Sequence, residues 1–293
     1  MRRRDLICGA LSTAAIATAP QALAQAFQPK RFVHRMVGQG PDVILIPGLM
    51  CSGEVWDATV AQISGRRRCH VLTLAGFAGV PAGPNGEGEV VGPVVEEIAA
   101  LIRAENLKDV SIIGHSVGGL MGQLLAGRHP ELVSRVMVVD ALPLYWLLGG
   151  PTATVERFRG QSAALRDQLL RQTPEQFEAV QRLGVSSFTE VPAHQERIIG
   201  WTTNSDRRVG AQVMYEVNTT DARPLHPAIK AKVTVLYAVS RNSRFPAANY
   251  DAVFGGAYAG VANRTLRRID ESGHFVMYDQ PERFAREVEA FLA

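Results

Sequence analysis

The stretch that decides the fold is "DVSIIGHSVGGLMGQ", residues 109–123. A run of apolar residues, several β-branched, enters the turn Gly114-His115-Ser116-Val117-Gly118, and an apolar run with helical character leaves it. Gly114 and Gly118 carry no side chain, so neighbouring backbone can come close to both. A serine at such a bend projects its hydroxyl beyond the end of the strand. The first turn of the helix sets a positive dipole end beside it. A serine hydroxyl is a weak nucleophile until a base takes its proton. The rest of the chain must therefore supply a base, a group to orient it, and donors for a developing negative charge.

The flanking segments repeat the alternation of strand and helix. "DVILIPG" (42–48), "HVLTLAGF" (70–77), "SRVMVVDALP" (134–143), "KVTVLYAVS" (232–240) and "RTLRRID" (264–270) read as strands bounded by turn residues. Several are apolar on both parities, as strands covered on both faces are. Helical periodicity runs through 89–107, 119–130 and 281–293. In the first of these Val95, Ile98, Ala99 and Ile102 share a face; the last opens with Pro281 and aligns Phe284, Val288 and Phe291. The fold class is α/β, with a mostly parallel central sheet and helices on both faces. Residues 143–228 break the alternation with helical segments near 152–171, 173–187, 192–203 and 206–217. The expected organisation is a core of 25–142 and 229–293 carrying an inserted helical lid over 143–228.

Gly-x-Ser-x-Gly at a strand-to-helix turn resembles the nucleophile elbow of the α/β-hydrolase family. The resemblance covers roughly residues 31–293, with the lid matching only in kind. "RIDESGHFVMYDQPERF" (268–284) resembles the family's Gly-His-Phe segment, followed by an acidic or amide residue, Pro and Glu. This resemblance implies that His274 is the base, in the family's chain order of nucleophile, acid and histidine. His115, inside the elbow, reads as a packed neighbour. "LIPGLMCSGEVW" (45–56) resembles the loop after the family's third strand, with Pro47-Gly48 where His-Gly is commoner. The oxyanion donors it implies are the backbone N–H groups of Leu49 and Val117.

The acid departs from the family's usual pattern. It usually follows the strand that reads here as "VTVLYAV", where this chain has Ser240-Arg241-Asn242-Ser243-Arg244 and no carboxylate. Some members carry it at the end of the strand after the nucleophile helix, a position that Asp140 holds here. Asp140 is the leading candidate; a helix-cap or lid-hinge aspartate is also common at that place. Asn242 is an alternative that could orient His274 without stabilising an imidazolium by charge. Asp251 is another, reachable only if its loop folds back. Asp270 stands too close to His274 in sequence to face it comfortably.

The implied activity is hydrolysis of carboxylic esters or related carbonyl compounds through a Ser116-His274-Asp140 relay and an acyl-enzyme, with no cofactor. A lactonase, a C–C bond hydrolase or a cofactor-free haloperoxidase-like enzyme would look alike, as would a ligand-binding protein with an idle relay. Haloalkane dehalogenases and epoxide hydrolases of this fold need a carboxylate where Ser116 stands. Leu142, Tyr145, Trp146, Trp201 and Met214 suggest an apolar acyl or aryl pocket, or equally lid-to-core packing. The expected partner is a small apolar ester-type substrate.

Composition sets the remaining bounds. The 293 residues are 46% hydrophobic and 20% charged, ordinary for a globular chain. Residues 1–24 have a basic start, an apolar middle and a small-x-small end, the pattern of a secretory signal. Arg3-Arg4 with Leu6-Ile7 resembles a twin-arginine signal, so a periplasmic or secreted chain cut after Ala24 is expected. The apolar run is too short for a stable membrane span. Removing this segment leaves 28 basic against 27 acidic residues, so no nucleic acid or other polyanion is implied as partner. Arg66-Arg67-Arg68 reads as a solvated loop. Cys51 and Cys69 fall at opposite rims of the sheet and are expected to be free thiols. Neither they nor the seven histidines show metal-ligand spacing.

Overall fold

The computed structural model describes residues 27–243 and 245–293. The expected signal over 1–24 lies outside them, as does Arg244. Seven strands form one sheet: β1 (Phe32–Val37), β2 (Asp42–Ile46), β3 (Arg68–Leu74), β4 (Val110–His115), β5 (Val133–Val139), β6 (Lys232–Val239) and β7 (Arg264–Asp270). Their order is β1-β3-β2-β4-β5-β6-β7, and every pair but β1–β3 is parallel. β1 was not foreseen. It is an antiparallel edge strand whose Val33 and Met36 face solvent, so its sequence lacks a clean alternation.

The central strands are apolar on both parities because each parity enters a different core. Ile44, Leu72, Ile112 and Val136 face one layer, with Val94, Val95, Ile98 and Leu101 of α2 (Val91–Ala104) and Leu124 of α3 (Val117–Arg128). Val43, Leu45, Val71, Ile113 and Met137 face the other. There they meet Val60 and Ile63 of α1 (Asp57–Ile63) and Phe284, Val288 and Phe291 of the C-terminal helix. Register follows from this: Ile44 pairs with Ile112, and Ile112 with Val136, so a one-residue slip would exchange the two faces.

Between β5 and β6 lie α4 (Val155–Arg171), α5 (Pro174–Gly184), α6 (Pro192–Thr203) and α7 (Arg207–Thr219). α8 (Ala247–Ala257) links β6 to β7; α9 (Val276–Asp279) and α10 (Pro281–Leu292) close the chain. α5 starts with a capping box in which Thr173 and Gln176 satisfy each other's backbone N–H groups. α4 and α7 pack together.

The arginine run is not a free loop. Arg66 pairs with Glu289, and Arg67 donates to the Leu292 carbonyl, fastening the turn before β3 onto α10. Arg68 forks onto buried Asp42 at 2.6 and 3.0 Å. Cys51 and Cys69 are free and buried, and burial pushes their thiols up to about 12 and about 11. Among the described residues no helix is long and apolar enough to cross a membrane.

Candidate active site

Ser116 is the residue between β4 and α3, and its backbone lies at φ 54°, ψ −122°. A side chain in that region costs on the order of 1–3 kcal/mol, so surrounding contacts must impose it. Its N–H donates to Val139 (2.9 Å), and its carbonyl accepts from Gly119 (2.8 Å) and Leu120 (3.1 Å). The flanking glycines are required by close approach. A β-carbon at Gly114 would lie 2.2 Å from the Gly118 carbonyl oxygen, and one at Gly118 would lie 2.3 Å from that of Ile46. The second contact also draws the helix start against the end of β2, where the loop through Leu49 begins.

That proximity brings the two candidate donors to one end of the sheet. Val117 is the first residue of α3, so its N–H has no partner within the helix. Among the described residues the N–H groups of Leu49 and Val117 take no backbone or side-chain acceptor. Gly48 fits because it lacks a β-carbon, which would lie 2.7 Å from Nδ1 of His115 and 3.3 Å from Cβ of Ser116.

His274 reaches the same place from the far side of the sheet. The chain leaving β7 crosses back over β6, with Ser272 N–H directed at the Val239 carbonyl (3.4 Å). Nδ1 of His274 lies 2.6 Å from Oδ2 of Asp140, so Nδ1 carries the proton toward a carboxylate that can only accept. Nε2 is thereby left with its lone pair. The His274 carbonyl accepts from Nε2–H of His115 at 3.0 Å, and the two rings stand 4.5 Å apart. The imidazole is thus set beside the residue that precedes Ser116. Among the described contacts no hydrogen bond yet joins it to the Ser116 hydroxyl. Burial, then the neighbouring His274, pulls His115 well below the usual histidine range and keeps it neutral.

Asp140 stands one residue past β5 at φ 50°. Its N–H donates to Leu236 (2.8 Å), and its Oδ1 accepts from the Ala238 N–H (2.9 Å). The carboxylate therefore bridges the end of β6 and His274. Behind it, the Tyr258 hydroxyl donates to the Ala141 carbonyl at 2.6 Å. Burial, then Asp140, lifts the Tyr258 phenol well above its usual range, so it stays protonated as a donor.

The alternative acids are elsewhere. Asp251 accepts from the Tyr237 hydroxyl (2.7 Å) and pairs with Arg268 (2.6 Å) on α8 and the sheet edge. Asn242 sits in an exposed turn, its N–H donates to the Ser240 hydroxyl, and among the described contacts it makes none with His274. Asp270 accepts from Arg268. Of the pocket candidates, Leu142 and Trp201 are buried in the two cores. Trp146 stacks on Phe158 at 4.3 Å, Tyr145 is exposed, and Met214 is half-buried on α7. Sequence reasoning missed Phe188, Thr189 and Asp279, which gather around the His274 loop; the acidic position before Gln280-Pro281 was their one visible sign. Among the described residues no cluster of three His, Cys, Asp or Glu side chains is arranged to hold a metal ion.

The chain belongs to the alpha/beta hydrolase family, whose model matches residues 43–287. It is 32% identical over 149 residues to a pimeloyl-acyl-carrier-protein methyl ester esterase of Aeromonas hydrophila, covering 50% of this chain and 56% of that one. A protein of the same description from Chromobacterium violaceum is 30% identical over 156 residues, covering 52% and 57%. The chain thus spans little more than half the length of these curated relatives. Among solved structures, an esterase from Exiguobacterium antarcticum superposes with TM-score 0.74 at 16% identity, covering 89% of this chain and 95% of that one. An enol-lactonase from Burkholderia xenovorans gives TM-score 0.71 at 18% identity, covering 89% and 96%. At such identities these two show the fold alone.

Proposed function

We propose that this chain is an exported serine hydrolase that cleaves carboxylic esters through an acyl-enzyme on Ser116. The observation that carries the reading is His274, held by Asp140 at 2.6 Å and seated against His115 beside the strained serine. Ser116 Oγ attacks the ester carbonyl while Nε2 of His274 takes its proton. Asp140 fixes the tautomer and stabilises the imidazolium. The N–H groups of Leu49 and Val117 receive the oxyanion, and the start of α3 adds its dipole. On collapse, His274 returns the proton to the departing alkoxide and alcohol leaves. Water, deprotonated by the same imidazole, then attacks the acyl group; the bond to Ser116 Oγ breaks, His274 returns the proton to that oxygen, and the acid leaves. No cofactor enters these steps.

The ester linkage is supported by relatives described as methyl ester esterases. The inserted helices over 143–228 act as the lid that covers the substrate. The signal over residues 1–24 supports a periplasmic or secreted location.

Turnover on a panel of alkyl, aryl and cyclic esters tests the reaction. Ser116→Ala and His274→Ala are each expected to lose at least about 10³-fold in kcat. Folded variants that match wild-type rates would reject the assignment. Export is tested by fractionation and N-terminal sequencing. The mature chain should begin after Ala24 outside the cytoplasm, and retention there with an intact leader would reject that part.

A further inference from the structure

We propose that Phe188 is the apolar wall against which the leaving alcohol lies, and that Asp279 is the positioning residue that holds it there. The proposal rests on the ester-hydrolase reading and names a specificity determinant of that site. Phe188-Thr189-Glu190 lies in the turn between α5 and α6, far in sequence from the catalytic histidine. Asp279 ends the short helix α9 that follows it. Four hydrogen bonds hold these parts and the histidine loop together. Oδ1 of Asp279 accepts from the Thr189 hydroxyl and from the Glu190 N–H (3.1 Å). Its Oδ2 accepts from the Gly273 N–H (2.7 Å). The Phe275 N–H donates to the Phe188 carbonyl at 2.9 Å. The two backbones touch: a β-carbon at Gly273 would stand 2.6 Å from that same carbonyl oxygen. Thr189 is fully buried, so the loss of its carboxylate partner would strand a hydroxyl.

The inserted segment is also fastened on the opposite side of the cleft. Ser205 Oγ accepts from the Ala78 N–H (2.8 Å) and lies within 3.3 Å of the Met50 carbonyl, next to Leu49. It therefore spans the site from the oxyanion loop to the histidine loop, and the 188–190 turn is its footing on the histidine side.

Reaction geometry decides which part of the substrate that footing meets. The leaving oxygen must receive its proton from Nε2 of His274, so the alcohol portion lies on the imidazole side. The Phe188 ring stands 5.9 Å from the His274 ring at 51°. It is 39% exposed, whereas Phe275, which also packs against His274, is only 3% exposed. A half-exposed aromatic side chain beside the imidazole offers contact to an apolar alcohol. A ring whose role was to shut the site against bulky alcohols would be packed in place.

The test compares methyl and benzyl esters of one acid, whose alcohols have similar acidity, by the ratio of their kcat/KM values. Phe188→Ala should lower the benzyl-to-methyl ratio about tenfold, chiefly through KM, with Phe188→Leu between. Asp279→Asn should lower the ratio as well, yet add little in the Phe188→Ala background. A ratio that stays or rises in Phe188→Ala overturns the wall. A fully additive Asp279→Asn effect overturns the positioning role. If folded wild-type protein cleaves neither ester, the ester reading fails and this proposal with it. If it cleaves both and only the ratio refuses to move, the wall alone fails.

Discussion

Asp140→Asn is the substitution with the most determined consequence. The carboxylate serves two fixed neighbours: the Ala238 N–H on Oδ1 at 2.9 Å and Nδ1 of His274 on Oδ2 at 2.6 Å. A backbone N–H in β6 can only donate. The asparagine must therefore turn its oxygen to Ala238, which points its NH₂ at His274. Nδ1 must then accept, the ring proton moves to Nε2, and Nε2 has no lone pair with which to take the Ser116 proton. The imidazolium also loses its counter-charge. A wrongly held tautomer in a Ser-His-Asp relay costs about 10⁴-fold in turnover, or about 5.5 kcal/mol of transition-state stabilisation. The assay is kcat on a chromogenic short-chain ester. A thermal melt would confirm the fold, since the amide replaces the carboxylate without change of shape. We expect a fall of 10³-fold or more with little change in KM. A rate within tenfold of wild type would refute the relay through Asp140.

Asn242→Ala and Asp251→Asn should keep turnover within about fivefold of wild type. The second should lose at most about 1 kcal/mol of stability with the charge of its half-exposed Arg268 pair, and a collapse of kcat in either would move the orienting role to the turn after β6 or to α8. Gly118→Ala places a β-carbon 2.3 Å from the Ile46 carbonyl oxygen, where only backbone can yield. It should destabilise by about 2 kcal/mol and cut turnover at least a hundredfold, and a variant with wild-type melting and rate would disprove the close approach. His226, 1% exposed, is drawn by burial from 6.5 to about 4. Because its folded value is depressed, its contribution is complete above the unfolded value and is lost as pH falls from 6.5 toward 4. Urea unfolding should show up to about 2 kcal/mol less stability at pH 5 than at pH 7 from this group. His226→Gln should flatten that slope, and an unchanged slope would contradict the assignment.

What was legible in the sequence follows the range of the interactions. The five inner parallel strands announced themselves because burial on two faces demands apolar residues at both parities. The two edge strands need no such pattern: β7 showed through its β-branched residues and turn-bounded ends, whereas β1 offered neither signal clearly. The elbow could be read from the spacing of Gly114 and Gly118; the contact of Gly114 with Gly118 is local, whereas that of Gly118 with Ile46 appears only in the fold. The place of Asp140 past β5 could be read, but not the Ala238 N–H that holds it, because that donor belongs to the backbone of a strand 98 residues on. The solvated-loop reading of Arg66-Arg67-Arg68 was incomplete: Arg66 stays half exposed in the turn, but the partners Glu289, Leu292 and Asp42 lie on elements that only folding brings near. The joining of Phe188 and Thr189 to Asp279 was invisible for the same reason.

The most direct test of nucleophilic chemistry at the bend is covalent capture. Full-length and signal-cleaved protein would be treated with a fluorophosphonate, digested and mapped by mass spectrometry. We expect a single adduct on the peptide carrying Ser116, absent in Ser116→Ala and strongly slowed in His274→Ala. Labelling that persists in Ser116→Ala, or a folded wild-type protein that never labels, would contradict the central claim.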